Sequence, residues 1–244
     1  MTLFAIQQEL DARGVQIENG RTIPVVLSVG LPPRDFSRLK QEYIRYFSRG
    51  SVQFQFKGKM YDITISLVDV YPQGISATYG DFEKIKAFPK AYIVDIGGFT
   101  TDIIEINKGK FDPALCRSID YGMIHFYNQV KHDIAASTGR ILDEDQIDTM
   151  LESGKELNQQ TSFVRQVEVS ATEFVRNLAN KLLEFGADLA VSKGIFVGGG
   201  SLRLQKYIDS NPDFMQPYFV LDIAANAKGY EALTKARLNK GNEV

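Results

Sequence analysis

One apolar run stands out in the sequence. Ala91-Tyr-Ile-Val-Asp-Ile96 carries β-branched residues in succession, without a polar face. Such a run suits a central strand covered on both sides. Gly97-Gly98 breaks it, and Ile103-Ile104-Glu105-Ile106 resumes the pattern after Phe99, Thr100, Thr101 and Asp102. The spacing predicts a strand, a glycine turn and a second strand.

The rest of the pattern alternates between helical and extended periods. Leu3, Ile6 and Leu10, with Phe4 beside them, predict a helix over Thr2 to Arg13, stopped by Gly14. A buried strand from Ile23 to Val29 is expected to end at Gly30-Leu-Pro-Pro33, a turn that cannot continue a sheet. A helix from Asp35 to Phe47 follows. A hairpin joins Ser51–Phe56 to Met60–Leu67, and a short strand, Val68 to Tyr71, stops at Pro72-Gln73-Gly74. Ile75 to Ile85 reads as a helix or an irregular crossing. After the glycine hairpin come a third strand around Leu115 to Ile119 and a helix from Met123 to Ala136. A short helix is opened by the capping-box pair Asp143 and Gln146. A long helix from Thr161 to Leu183 has Phe163, Val167, Phe174, Leu178 and Leu182 as its apolar stripe. A strand, Gly194 to Val197, ends in Gly198-Gly-Gly200-Ser201. Leu202 to Asp209 (helix), Pro217 to Val220 (strand) and Ala224 to Leu238 (helix) complete the chain. Strands that first follow one another and then alternate with helices predict an α/β fold with a mixed sheet.

Composition narrows the functional classes. The 244 residues are 44% hydrophobic and 24% charged, with a net charge of −2, so no bulk positive field favours nucleic acid or an anionic membrane. A single cysteine, Cys116, excludes an intrachain disulfide and a thiolate metal cluster, in keeping with a reducing cytoplasm. No apolar run of about 18 residues predicts a membrane span, and the N-terminus lacks a basic signal-peptide region. His125 and His132 share one predicted helix face without a third ligand nearby.

Candidate chemistry gathers at three glycine-bearing strand ends: Asp95–Asp102, Gly198–Ser201 and Pro72–Gly74. A carboxylate at the end of a buried strand, beside a turn rich in N–H groups and hydroxyls, suits a phosphate and its Mg²⁺. Ligands of open α/β sheets bind outside the carboxyl ends of the strands. The bland alternative is a hairpin whose Gly-Gly only turns the chain. Neither a P-loop nor a dinucleotide fingerprint is present.

Five segments together resemble a known family. Val94-Asp-Ile-Gly-Gly-Phe-Thr-Thr-Asp102 is similar to the second phosphate loop of the actin, Hsp70 and sugar-kinase superfamily. Val197-Gly-Gly-Gly-Ser201 is similar to its adenosine loop. Ala225-Asn-Ala-Lys-Gly-Tyr230 resembles its second connecting segment, as written in plasmid-segregation actins of the ParM/StbA type. Leu27-Ser-Val-Gly-Leu-Pro32 and Val70-Tyr-Pro-Gln-Gly74 also match, in the family's order.

The resemblance implies an actin-like (ribonuclease H-like) ATPase fold, a mixed sheet flanked by helices. It implies ATP or ADP with Mg²⁺ in a cleft between two domains, and filaments that segregate plasmids in the cytoplasm. By position, Asp95 would hold Mg²⁺ through water and orient the attacking water, with Gln73 placing that water. Gly97, Gly98, Phe99 and Thr100 would bind phosphates through N–H groups. Gly198, Gly199, Gly200 and Ser201 would pack against ribose and adenine. The family's opening Asp-x-Gly loop and Lys find no match before Ile23. The expected organisation is therefore a truncated first domain (residues 1–89), a complete second domain (90–224) and a C-terminal segment (225–244) returning toward the first. That gap would compromise hydrolysis by this chain alone. Self-association and a DNA-binding adaptor are the implied partners, without direct contact to nucleic acid or membrane. The alternatives are a non-catalytic assembly module and a sugar-kinase-like phosphotransferase.

Overall fold

The computed structural model describes residues 1–16, 21–111, 115–153 and 161–241. Its strands form two sheets. The first has three strands: β1 (Ile23–Leu31), β2 (Ser51–Phe56) and β3 (Lys59–Pro72), in the order β1-β3-β2. β1 runs parallel to β3, with a register slip between Val25 and Val26, and β2 is antiparallel to β3. Helix α1 (Thr2–Ala12) covers one face through Ile6 and Leu10, which meet Tyr61 and Ile63. Helix α2 (Pro33–Phe47) sets Phe36, Leu39 and Tyr43 against Leu31, Val68 and Val70 on the other.

The second sheet carries β4 (Lys90–Ile96), β5 (Thr101–Asn107), β6 (Lys110–Phe111), β7 (Arg117–Ile119), β8 (Lys193–Val197) and β9 (Tyr218–Phe219). Its order is β6-β5-β4-β8-β9, with β7 also on β5. β4 is antiparallel to β5 and parallel to β8, and β8 is parallel to β9. Tyr92, Val94 and Ile96 face a large core with helices α4 (Met123–Thr138), α5 (Glu144–Ser153) and α6 (Thr161–Glu184). Ala91 and Ile93 face a smaller core on the opposite side. Both faces of β4 are therefore covered, as its unbroken apolar run requires. The α6 stripe is buried throughout. The capping box forms in both directions: Gln146 N–H donates to Asp143 Oδ1 at 2.8 Å, and Asp143 N–H to Gln146 Oε1 at 2.9 Å. This is an α/β fold with mixed sheets flanked by helices.

Several expectations change. The strand expected to stop at Val29 continues through Gly30 and Leu31, because Leu31 pairs beside Pro72 and its carbonyl accepts Gln73 N–H at 2.9 Å. The hairpin strand and the short strand after it are one strand of 14 residues, β3. Leu3 is half-exposed rather than inside, and Gln7 is buried between Ile6 and Leu10. The crossing expected over Ile75–Ile85, helical or irregular, forms as a 3₁₀ turn (Ser76–Asp81) followed by the one-turn helix α3 (Phe82–Ile85). The helix expected from Leu202 starts at the glycines instead, as α7 (Gly198–Arg203), and α8 (Gln205–Asp209) follows.

The closing helix α9 (Ala225–Gly241) leaves the second sheet and lies on the first. Thr234 Oγ1 donates to Asp69 Oδ2 at 3.1 Å and shares a 2.8 Å hydrogen bond with Ser28 Oγ. Arg237 pairs with the same Asp69 oxygen at 2.7 Å. Near its start the helix passes so close to the 3₁₀ turn that a Cβ on Gly229 would stand 1.9 Å from Ser76 O. Only glycine permits this backbone-to-backbone crossing. Gly229→Ala is expected to lower unfolding free energy by about 1–3 kcal/mol despite alanine's better helix propensity. Gly80→Ala, where a Cβ meets open space, should change it by less than about 0.5 kcal/mol. Urea unfolding of the two variants checks this.

Candidate functional site

β4 and β8 run parallel with Asp95 opposite Val197, so both strands release their chains at the same sheet end. The turn after β3 reaches that end too. A Cβ on Gly74 would lie 3.7 Å from Asp95 Oδ2, and one on Gly198 would lie 2.4 Å from Asp95 Oδ1. All three glycine junctions thus converge on one carboxylate. Gly198 reaches this position with φ +87° and Gly74 with φ +72°, conformations that other residues rarely adopt.

The loop between β4 and β5 is polarised by its neighbours. Gly97 N–H donates to Thr100 O at 2.9 Å. The first amides of α4 take the loop's carbonyls: Met123 N–H donates to Gly97 O at 3.0 Å and Ile124 N–H to Gly98 O at 2.8 Å. Gly122 makes this approach possible, because a Cβ there would be 2.6 Å from Gly98 O and from the Phe99 carbonyl carbon. With those carbonyls turned inward, the N–H groups of Gly98, Phe99 and Thr100 meet no acceptor among the described residues. Successive free N–H groups form an anion-binding concavity. Phe99 contributes backbone only, since its ring is 77% exposed at the tip. Thr101 is committed to the fold: its hydroxyl donates to Tyr121 O at 2.7 Å.

Asp95 and Asp102 face each other across β4 and β5. Burial pushes the Asp95 carboxyl up to about 6, reinforced by the Asp102 charge and opposed by a hydrogen bond from Asn226. Asp102 is raised as well, first by burial, with Ser118 and Arg34 opposing and Asp35 adding to the rise. Asp102 Oδ1 is buried without a hydrogen-bond partner. Among the described residues no group of three or more His, Cys, Asp or Glu side chains could enclose a metal. Two facing carboxylates beside free N–H groups fit instead a hydrated Mg²⁺ that is also held by phosphate oxygens.

The glycine turn after β8 divides. Gly198 and Gly199 are partly open. Gly199 lines a cavity of about 530 Å³ with Leu202, Arg203, Lys206 and Ile223. Gly200 and Ser201 point the other way. A Cβ on Gly200 would be 2.6 Å from Ile96 Cγ2, and Ser201 is fully buried, its hydroxyl donating to Val197 O at 2.5 Å. Gly200 and Ser201 shape the turn from inside. Gln73 precedes Gly74 in the turn that approaches Asp95, and its own side chain lies next to the Tyr230 hydroxyl. The two histidines stand elsewhere: the His125 ring lies tilted against Tyr121 with centroids 4.6 Å apart, and His132 is exposed beside Asp133. Cys116 is buried in the smaller core.

Asn226 was legible only as part of a motif. Its Oδ1 accepts Gly74 N–H at 2.8 Å and its Nδ2 donates to Asp95 Oδ2 at 3.2 Å. Nothing in the local pattern of an exposed helix start distinguishes such a residue.

Residues 93–210 match a family model described as the C-terminal part of MreB-like archaeal actin homologues. Similar solved structures include Ta0583, an archaeal actin homologue, at TM-score 0.76 and 19% identity over 95% of this chain and 75% of that one. The fold is actin-like. A non-polymerisable quadruple mutant of pCBH ParM matches at TM-score 0.68 and 22% identity, covering 91% of this chain and 70% of that one. The Alp12 filament structure matches at 0.63 and 15%, covering 98% and 76%. Ta0583 is also known in complex with ADP, at TM-score 0.66 and 20% identity over 94% and 76%. No curated protein matches the sequence. The resemblance to ParM-type actin-like proteins is met in the fold. Among the described residues no helix is long and apolar enough to cross a membrane.

The raised Asp95 gives a stability signature. Its folded form holds a proton more tightly than the unfolded chain does, so its contribution is most favourable below about pH 4. That contribution is lost as pH rises through about 6. Between pH 4 and 7 the native protein should lose about 2 kcal/mol relative to Asp95→Asn, which cannot ionise. Urea unfolding of both proteins across that range measures the difference.

Proposed function

We propose that this actin-like chain binds ATP or ADP with Mg²⁺ at the strand ends around Asp95 and assembles with copies of itself into filaments. One observation carries the reading: three turns from two sheets converge on Asp95 beside a loop in which the N–H groups of Gly98, Phe99 and Thr100 meet no acceptor among the described residues. In this reading Gly98, Phe99 and Thr100 bind phosphate oxygens through their amides, with Gly97 setting the turn. Asp95 holds Mg²⁺ through water, with Asp102 opposite. Gln73 orients the attacking water, and phosphoryl transfer asks mainly for such positioning and charge neutralisation. Gly198 and Gly199, with the adjoining cavity, receive the nucleoside. Residues 1–89 and 90–224 form the two sides of the cleft, and the segment from 225 returns across it.

Relatives of the same fold support self-assembly, through the filament described for Alp12 and the polymerisation implied for pCBH ParM. The ADP complex of Ta0583 supports the ligand class. Plasmid segregation in the cytoplasm through a DNA-binding adaptor is the biological role that the motif resemblance to plasmid-segregation actins implies.

Isothermal calorimetry with ATP and Mg²⁺ tests the ligand, and sedimentation with and without ATP tests assembly. Asp95→Ala is expected to abolish the effect of Mg²⁺ on binding and turnover while changing Mg²⁺-free affinity by less than about threefold, since one water-mediated contact is lost. Absence of any nucleotide binding by the native protein would overturn the reading.

A further inference from the structure

We propose that Asn226 is the positioning residue of this site. Its carboxamide clasps the Gln73–Gly74 turn of the first sheet to the Asp95 carboxylate of the second. The amide is used at both ends. Oδ1 accepts Gly74 N–H at 2.8 Å, and Nδ2 donates to Asp95 Oδ2 at 3.2 Å. The three residues come from separate places: the end of β3, the end of β4 and the start of α9. Neither carboxylate nor turn holds the other directly. Gly74 has no side chain, and a Cβ there would already be 2.7 Å from Ile104 Cδ1.

Helix α9 presents a second group on the same side. Tyr230 lies four residues on, one turn of helix, and so shares a face with Asn226. Its ring stacks on Tyr71 at 6.1 Å, and its hydroxyl presses against Gly30, where a Cβ would be 2.0 Å away. Tyr230 is only 8% exposed, and its hydroxyl has no hydrogen-bond partner that the geometry admits, with the Gln73 side chain beside it. A buried, unsatisfied hydroxyl is costly and is available to a group that arrives. Asn226 and Tyr230 therefore bracket the Gln73–Gly74 turn, one holding its backbone and the other facing its side chain. The consequence is that the distance between Gln73 and Asp95 is set by α9 rather than by either sheet.

Only the ligand arm of the test rests on the nucleotide reading above. In the ligand-free protein, amide hydrogen exchange followed by NMR reads the clasp at Gly74 N–H. Asn226→Ala should speed that exchange at least tenfold, while Asn226→Asp, which keeps an acceptor in place, should retain the protection. Equal Gly74 protection in the native protein and in Asn226→Ala overturns the proposal. For the ligand arm, ATP affinity is measured by calorimetry with Mg²⁺ and with EDTA. Asn226→Ala should lose most of the Mg²⁺-dependent gain while its affinity in EDTA stays within about twofold, because misplacement of Asp95 penalises only interactions made through it. A merely structural role would lower both affinities together, and that result, like an undiminished Mg²⁺ gain, also overturns the proposal. If the native protein binds no ATP, the nucleotide reading fails separately and the exchange comparison decides the clasp by itself.

Discussion

Two peptide carbonyls, those of Gly97 and Gly98, point into the start of helix α4, and the site depends on that contact. The helix's first amides lack partners within the helix, and the loop supplies them. In return the loop is fixed, and its N–H groups at Gly98, Phe99 and Thr100 meet no acceptor among the described residues. The contact requires Gly122 without a side chain and a helix held in place behind it. The large core around Phe126, Val130 and Ile134 supplies that support. Packing far from the strand ends thus determines which way a few peptide dipoles point.

The carboxylate beside the loop is held under tension of a different kind. Asp95 and Asp102 stand opposite each other with little water, and one oxygen of Asp102 has no partner. Two like charges in such a place disfavour their own ionisation. A cation, or a hydrogen-bond donor such as Asn226, relieves that cost. The arrangement is poorly balanced alone and well balanced with a positively charged guest, a common property of sites whose occupant completes them.

Much of this was legible in the sequence where local pattern decides structure. The apolar run of β4, the α6 stripe and the Asp143–Gln146 capping box each depend on residues close in the chain, and each formed. The strand through Gly30 and Leu31 was not legible, because its continuation depends on Gln73 far along the chain and on the room Gly30 leaves for Tyr230. The triple glycine read as a loop before a helix. Its packing against Asp95 and Ile96 makes it the helix itself, with Ser201 buried. The two contacts of Asn226 were not legible from the motif that contains it, because its partners lie 152 and 131 residues away in sequence.

The crossing of α9 over the 3₁₀ turn has a mechanical meaning. Gly229 and Ser76 meet backbone to backbone, and beyond that crossing Thr234 and Arg237 fasten the helix to Asp69. Asn226 lies about 4.5 Å from it along the helix, and the far end of the described helix about 18 Å in the other direction, at 1.5 Å per residue. The helix is thus held at Asn226, at the Gly229 crossing and again at Thr234 and Arg237. The residue that meets Asp95 and the residues that meet Asp69 therefore belong to one helix that spans both sheets.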